Sequence, residues 1–402
     1  MSDRDALLTA ILANPDEDTP RLVFADWLDE HGDASPHAAG TSEGGSGEAW
    51  GANSWRAKFI RAGCAAARAA PYSQAKYDLT AQADGLQGLH GAEWAAGLDG
   101  LTVAARFARG FVEEVTMYSK RFVAAAAKVF AAQPVRVVKF ADMTYSRGTA
   151  APRDLFACPH LARLHTVEFP GLTVNDDFAA HLARSPHLAG LRCLRLRGCT
   201  VSPTALRAVL ESDRLPSLVE LELLDSTSIE SDHLTAVAAS PALSKLKVLS
   251  FRGCPVGPSG AVALAGSKHA AGLEVLRLKY ERRPGHPPIR GPGAVALAES
   301  PHLGGLKELS LGRQELRRRG GELFAKAFAW SGMKRLALRG CDLGPQELLA
   351  IAANPAFRVL DELDLTGNPI ALPDLTPLRA ALRHTAVYLD AHNRLAPHEA
   401  RP

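Results

Sequence analysis

The sequence predicts an α/β solenoid with an open concave face, preceded by a small helical module, and three observations predict it. First, a pattern of apolar, two residues, apolar, one residue, apolar recurs eight times between Leu164 and Leu365. Its first apolar residues fall at 164, 191, 218, 246, 273, 306, 333 and 360, at intervals of 27, 27, 28, 27, 33, 27 and 27. Second, capped segments at helical spacing lie between these runs. Ser202-Pro203 precedes Leu206, Val209 and Leu210; Ser231 precedes Leu234 and Val237; Gly344-Pro345 precedes Leu348, Leu349 and Ile351. Third, residues 1–33 show helical periodicity but none of the repeat. A unit this short cannot bury its own apolar edge, so copies must stack.

The elements follow in order. Ser2 and Asp5 resemble a capping box with Asp in place of Glu, and Leu7, Leu8, Ile11 and Leu12 form the apolar stripe of a first helix. Asn14-Pro15-Asp16 is a turn. Thr19 is expected to cap a second helix with Pro20 at its first position, Leu22, Val23, Trp27 and Leu28 on its apolar side, and Gly32 at its end. Residues 34–53 are small, polar and glycine-rich and read as a flexible insertion. Helical pattern returns at Trp55, Phe59 and Ile60. Beyond it, 71–133 read as an α+β connector and cap, with helices over 82–98 and 121–132 and a strand pair turning at Arg109-Gly110. The predicted domains are a helical module at 1–70, the connector at 71–133 and a solenoid at 134–395, with degenerate copies at Val135 and Val387 bringing the array to about nine to ten repeats.

A period of 27–28 residues with a helix in each repeat resembles the ribonuclease-inhibitor type of leucine-rich repeat. The resemblance implies a parallel sheet inside the curve and helices outside it. Cys199, Cys254, Cys341 and Asn368, with Ser226 and Gln314 as substitutes, occupy the ninth position, where a polar side chain turns inward and pairs backbone groups at the strand exit. A second segment, "ILANPDEDTPRLVFADWLDEHGD" followed by "WRAKFIRAG", is similar to the bacterial repeat-companion domain, through Asn14, Pro15, Asp18, Pro20, Arg21, Leu22, Asp26, Trp27, Leu28, Gly32, Arg56, Phe59 and Ile60. It implies a two-part architecture in a bacterial, cytoplasmic setting, and it points to no particular activity, because that family's biochemical function is not established.

Composition excludes several classes of function. A formal charge of +3 over 402 residues gives no basis for non-specific binding to nucleic acid or membrane. Aromatics at 6% are too few for a base-stacking platform. The first residues carry no basic and apolar leader pattern, and no run of about 18 apolar residues suggests a spanning helix. The six cysteines form no C-x-x-C pair, so neither a zinc nor a redox motif is expected. Gly40-Thr41-Ser42-Glu43-Gly44 matches a nucleophile-elbow string but has no strand before it. His160, His187 and His302 recur at one point of the repeat and read as turn residues. Asp26, Asp29, Glu30 and His31 read as a solvated helix end. No catalytic residue, cofactor or metal is expected.

What remains is surface. If the leucines at positions four and six face the core, positions three, five and seven face out. That places Arg195, Arg197, Arg252, Arg277, Lys279, Arg335 and Arg339 on one face, with Glu222 and Asp364 among them. This mixed, locally basic surface is the candidate site for an acidic patch on a protein partner. The 33-residue repeat carries Arg282, Arg283 and Arg290, and the next offers Arg313, Arg317 and Arg318, a candidate basic rim. The predicted function is a non-enzymatic interaction scaffold. The alternatives are a regulator of a small GTPase, since one family of GTPase activators has this repeat type, and a structural or self-associating protein.

Overall fold

Helix α1 (Asp3–Ala13) begins where the sequence supplies both halves of a cap. Ser2 Oγ accepts from the Asp5 amide and the Ser2 amide donates to Asp5 Oδ2, each at 3.2 Å. The computed structural model describes residues 2–31, 52–69, 73–141, 151–281, 287–316 and 319–389, which divide into two compact units, one within 2–141 and one within 151–389. Gly32, most of the 34–53 insertion and the Gly40–Gly44 string lie outside the described residues.

In the first unit, α2 (Thr19–Glu30) carries Pro20 in its first turn, but Asp18 and not Thr19 is its N-cap, and that carboxylate makes no cap bond. Two arginines take it instead: Arg68 at 2.7 Å and Arg109 at 3.4 Å. Then come α3 (Ala52–Arg68), α4 (Gln74–Trp94), strands β1 (Ala104–Ala108) and β2 (Phe111–Met117), α5 (Ser119–Ala132) and β3 (Val137–Phe140). Strand β2 pairs antiparallel with β1 and parallel with β3. The 1–70 and 71–133 segments share this unit, and one core joins them: Ile11, Phe24, Leu28 and Ile60 with Phe111.

The β1–β2 turn explains two glycines and a strained arginine. Arg109 at φ 48° and Gly110 at φ 84° give the left-handed pair that a two-residue hairpin requires. A Cβ on Gly110 would lie 2.6 Å from Ile60 Cα, and one on Gly63 2.8 Å from the Gly110 nitrogen, so α3 rests on the turn backbone to backbone. The strain at Arg109 is offset by its guanidinium, which donates to the carbonyls of Pro15 and Asp16 and pairs with Glu113 at 2.9 Å. Arg21, with no exposed surface, donates to the carbonyls of Pro15 and Arg109 and pairs with Glu113 at 3.0 Å.

The second unit repeats strand, turn and helix: α6 (Pro152–Phe156), β4 (Thr166–Pro170), β5 (Thr173–Val174), α7 (Asp176–Arg184), β6 (Cys193–Arg197), β7 (Thr200–Val201), α8 (Pro203–Leu210), β8 (Glu220–Leu224), α9 (Ser231–Ala239), β9 (Val248–Arg252), α10 (Gly257–Ala265), β10 (Val275–Arg277), α11 (Arg290–Ala298), β11 (Glu308–Ser310), α12 (Arg319–Ala327), β12 (Arg335–Ala337), α13 (Pro345–Ala353), β13 (Glu362–Asp364), α14 (Thr376–Ala381) and β14 (Ala386–Tyr388). The strands from β4 onward, apart from the small β5–β7 pair, stack in chain order as one parallel sheet. Helix starts follow the caps read from sequence. Ser202 Oγ accepts from the Ala205 amide, and the Gly344 amide donates to Glu347 Oε2 at 2.8 Å. The α9 cap is Glu230, one residue before the Ser231 expected.

The apolar triplets fill the core as their period requires. Leu194, Leu221, Leu223, Leu249, Phe251, Leu276, Leu278, Leu309 and Leu363 are fully buried. Each such side chain contributes roughly 1.5–3 kcal/mol over its exposed state. The ninth position forms the inward ladder expected of it. The thiols of Cys199, Cys254 and Cys341 donate to the carbonyls of Phe169, Leu223 and Leu311. Asn368 Nδ2 donates to Leu338 and Leu365, each at 2.8 Å, and its Oδ1 accepts from the Leu343 amide. Ser226 and Gln314 do the same work: Cys199 N–H donates to Ser226 Oγ, and Gln314 Nε2 donates to the Leu278 carbonyl.

Candidate partner-binding face

Parallel register puts like positions side by side. One row across the sheet reads Glu168, Arg195, Glu222, Ser250, Arg277, Ser310, Ala337 and Asp364. The row two residues earlier reads Thr166, Cys193, Glu220, Val248, Val275, Glu308, Arg335 and Glu362. Both rows stand on the open face, opposite the buried leucines. Neighbouring strands lie about 4.8 Å apart, so charges of opposite sign on adjacent strands meet.

They do meet, and most of the basic side chains expected on this face have acidic partners. Arg195 pairs with Glu222 at 3.4 Å, and Arg197 bridges Glu168 at 3.0 Å and Asp225 at 2.8 Å. Glu308 takes both Arg277 at 2.7 Å and Arg335 at 3.6 Å. Lys279 pairs with Glu281 at 2.9 Å, and Arg339 with Asp364 at 2.8 Å. Arg252 is the exception: it is exposed, and its guanidinium makes no hydrogen bond or ion pair among the described residues. Its cross-strand neighbour is Leu224, buried at 2% exposure. The acidic partners Asp225 and Glu281 lie outside the strict alternation of the strands, so the sequence periodicity did not point to them.

Of the candidate rim, Arg313 pairs with Glu281 at 2.7 Å and Arg290 is exposed at the start of α11. The two loops are neighbours through the Arg290 amide, which donates to the Gln314 carbonyl at 3.2 Å. Arg282, Arg283, Arg317 and Arg318 lie outside the described residues. The acidic end of α2 is engaged as well: Asp26 and Asp29 both pair with Arg61 at 2.6 Å.

The open face also holds a group that sequence reading passed over. Cys193, Glu220 and Glu222 bring their ligand atoms within 4.8 Å of one another. Burial, with the two carboxylates adding to it, pushes the Cys193 thiol up to about 12. Arg195 already engages Glu222 at 3.4 Å. The arrangement favours a protonated thiol. A second structural ladder was also missed. Ser185, Ser267 and Ser300 donate from Oγ to the carbonyls of Phe156, Ala238 and Ala265. Their spacing follows the repeat, which was the available signal. The amides of His187 and His302 donate to Ser185 and Ser300, so these histidines sit in turns.

One comparison with known proteins, a family model, agrees with the repeat. A family model described as Leucine Rich repeat matches residues 242–265, which hold the Leu246–Val256 copy of the pattern and the whole of α10. No curated protein sequence matches the chain. Among solved structures, the chain is similar to one in the crystal structure of the Rad7 and Elc1 complex in yeast, at 14% identity over 80% of this chain and 87% of that chain, with a TM-score of 0.37. Likeness at that level carries nothing about function. The chain is of the leucine-rich-repeat type, an α/β solenoid, and such repeats are typically non-enzymatic interaction modules. No helix among the described residues is long and apolar enough to cross a membrane.

Proposed function

We propose that the protein is a non-enzymatic scaffold that binds a protein partner on the open face of its parallel sheet. The observation that carries this reading is Arg252, an exposed and unpaired cation on a face where the neighbouring charges are paired across strands. Paired charges at fixed spacing suit a partner with charges of both signs, since each pair can be exchanged for an intermolecular one. Arg252 supplies the attraction left over, and a carboxylate on the partner is its complement. The reading also sets the chain in a bacterial cytoplasm. Six buried cysteines, all free, support a reducing compartment.

The test is affinity capture from extracts of the native cell, comparing the wild-type chain with Arg197→Glu, Arg252→Glu and Arg339→Glu combined. The expected result is that proteins retained by the wild type are lost from the variant while its far-ultraviolet circular dichroism is unchanged. Equal capture by both would remove the open face as the binding surface.

A further inference from the structure

The first unit contains a cavity of about 290 Å³ that the interaction scaffold does not use. Its apolar wall is Leu8, Phe24, Leu28, Trp94 and Phe111, drawn from α1, α2, α4 and β2. Arg56, on α3, reaches into it. The guanidinium carbon lies 4.7 Å from the centre of the Trp94 ring and 4.9 Å from that of Phe111. Its Nη1 atom is buried and has no hydrogen-bond partner.

Arg56 also lacks a counter-ion. It makes no ion pair among the described residues, and Glu93, whose charge acts on it from the cavity wall, is exposed. Burial pushes the Arg56 pKa down to about 9, which still leaves a cation at neutral pH. A guanidinium with a buried, unpartnered nitrogen is costly, and its contacts with Trp94, Phe111 and, at 5.7 Å, Phe59 offset only part of that cost. The two amide side chains in the wall are already engaged. Gln133 Oε1 accepts from the Val112 amide and Nε2 donates to the Trp94 carbonyl, while Asn53 Nδ2 donates to the His31 carbonyl. Among the described residues of the wall, the buried donor left free is Arg56 Nη1, with Arg4 as an exposed second cation.

We propose that this cavity is a binding site for a small carboxylate with an apolar body. The carboxylate lies against the Arg56 guanidinium, and the apolar part fills the space between Phe24, Leu28 and Leu8. The Arg56 guanidinium, flanked by the Trp94 and Phe111 rings, matches a planar monoanion, and Glu93 in the same wall disfavours a phosphate dianion. A volume of about 290 Å³ takes a body the size of one aromatic ring or a short aliphatic chain. Such a carboxylate could be a free organic acid or the C-terminus of a peptide.

The test is isothermal titration of the full chain with phenylacetate, with phenylacetamide as the neutral isostere. Acetyl-Gly-Phe with a free carboxylate, against the same peptide as its amide, separates the two sources. One-site binding of phenylacetate is expected, with none of phenylacetamide. Binding of the peptide acid as well would identify a C-terminus as the natural ligand; its absence would identify a free acid. Arg56→Met should weaken phenylacetate by at least about tenfold. Leu8→Trp keeps the guanidinium but fills the cavity, and should abolish binding. Both variants are checked for unchanged circular dichroism, and Leu8→Trp decides the matter if Arg56→Met fails to fold. Failure of phenylacetate to bind the wild type, or equal binding by phenylacetamide or by Leu8→Trp, overturns the proposal.

Discussion

At the scale of single residues, the polar side chains that break the apolar pattern are mostly backbone partners. Asn368 shows why. Replacing it with Ala would leave the Leu338 and Leu365 carbonyls and the Leu343 amide unpaired in a buried place. Urea unfolding of Asn368→Ala should show a loss of about 3 kcal/mol. The cysteines at this position are held as neutral thiols. Burial pushes Cys341 up to about 12 and Cys199 up to about 11 from an ordinary 9.0. A pKa higher in the folded state stabilises the fold fully below the unfolded value and is lost as pH rises towards the folded one. The urea midpoint should therefore fall between about pH 9 and 12, and Cys341→Ala should flatten that fall. At pH 7 iodoacetamide should leave both thiols unmodified until the chain is unfolded. The position of these residues was legible from the repeat. Their bonding partners, one repeat away, were not, because a period states which positions are alike and not which carbonyl each one reaches.

At the scale of elements, the helices and strands form where caps and periodicity put them, and the departures have electrostatic causes. Asp18 fails to cap α2 because Arg68 and Arg109 claim its carboxylate. The β1–β2 turn was legible as Arg109-Gly110, but its burden was not. Glu113 faces two arginines, one of them fully buried, so Glu113→Ala leaves Arg21 without its carboxylate partner. The expected cost is about 3–5 kcal/mol, read as a lower urea midpoint by tryptophan fluorescence. Gly63→Ala should also destabilise, because its new methyl meets the Gly110 backbone nitrogen at 2.8 Å, where nothing flexible can yield. A midpoint equal to that of the wild type would show that α3 does not rest on the turn.

At the scale of the molecule, the solenoid is a chain of nearest-neighbour contacts. A cavity in one repeat should loosen its neighbours first. Leu276 in β10 is fully buried, and Leu276→Ala is expected to cost about 2–5 kcal/mol. Amide exchange should rise first in β9 and β11, the strands paired with β10, before it rises in β4 or β14. A uniform rise across the sheet would argue for a single cooperative block.

The sequence alone determined the repeat, its period, the parallel α/β solenoid and which side chains face the core, because these follow from periodicity and from the need of each unit to bury an edge. Only the tertiary structure decided what the open face carries. Whether an arginine there is free depends on the strand beside it and on turn residues such as Asp225 and Glu281, which no alternation marks. The Arg56 cavity was invisible for the same reason. In the sequence Arg56 is one arginine on a helical face, and its lack of an ion pair among the described residues emerges only when α1, α2, α4 and β2 close around it.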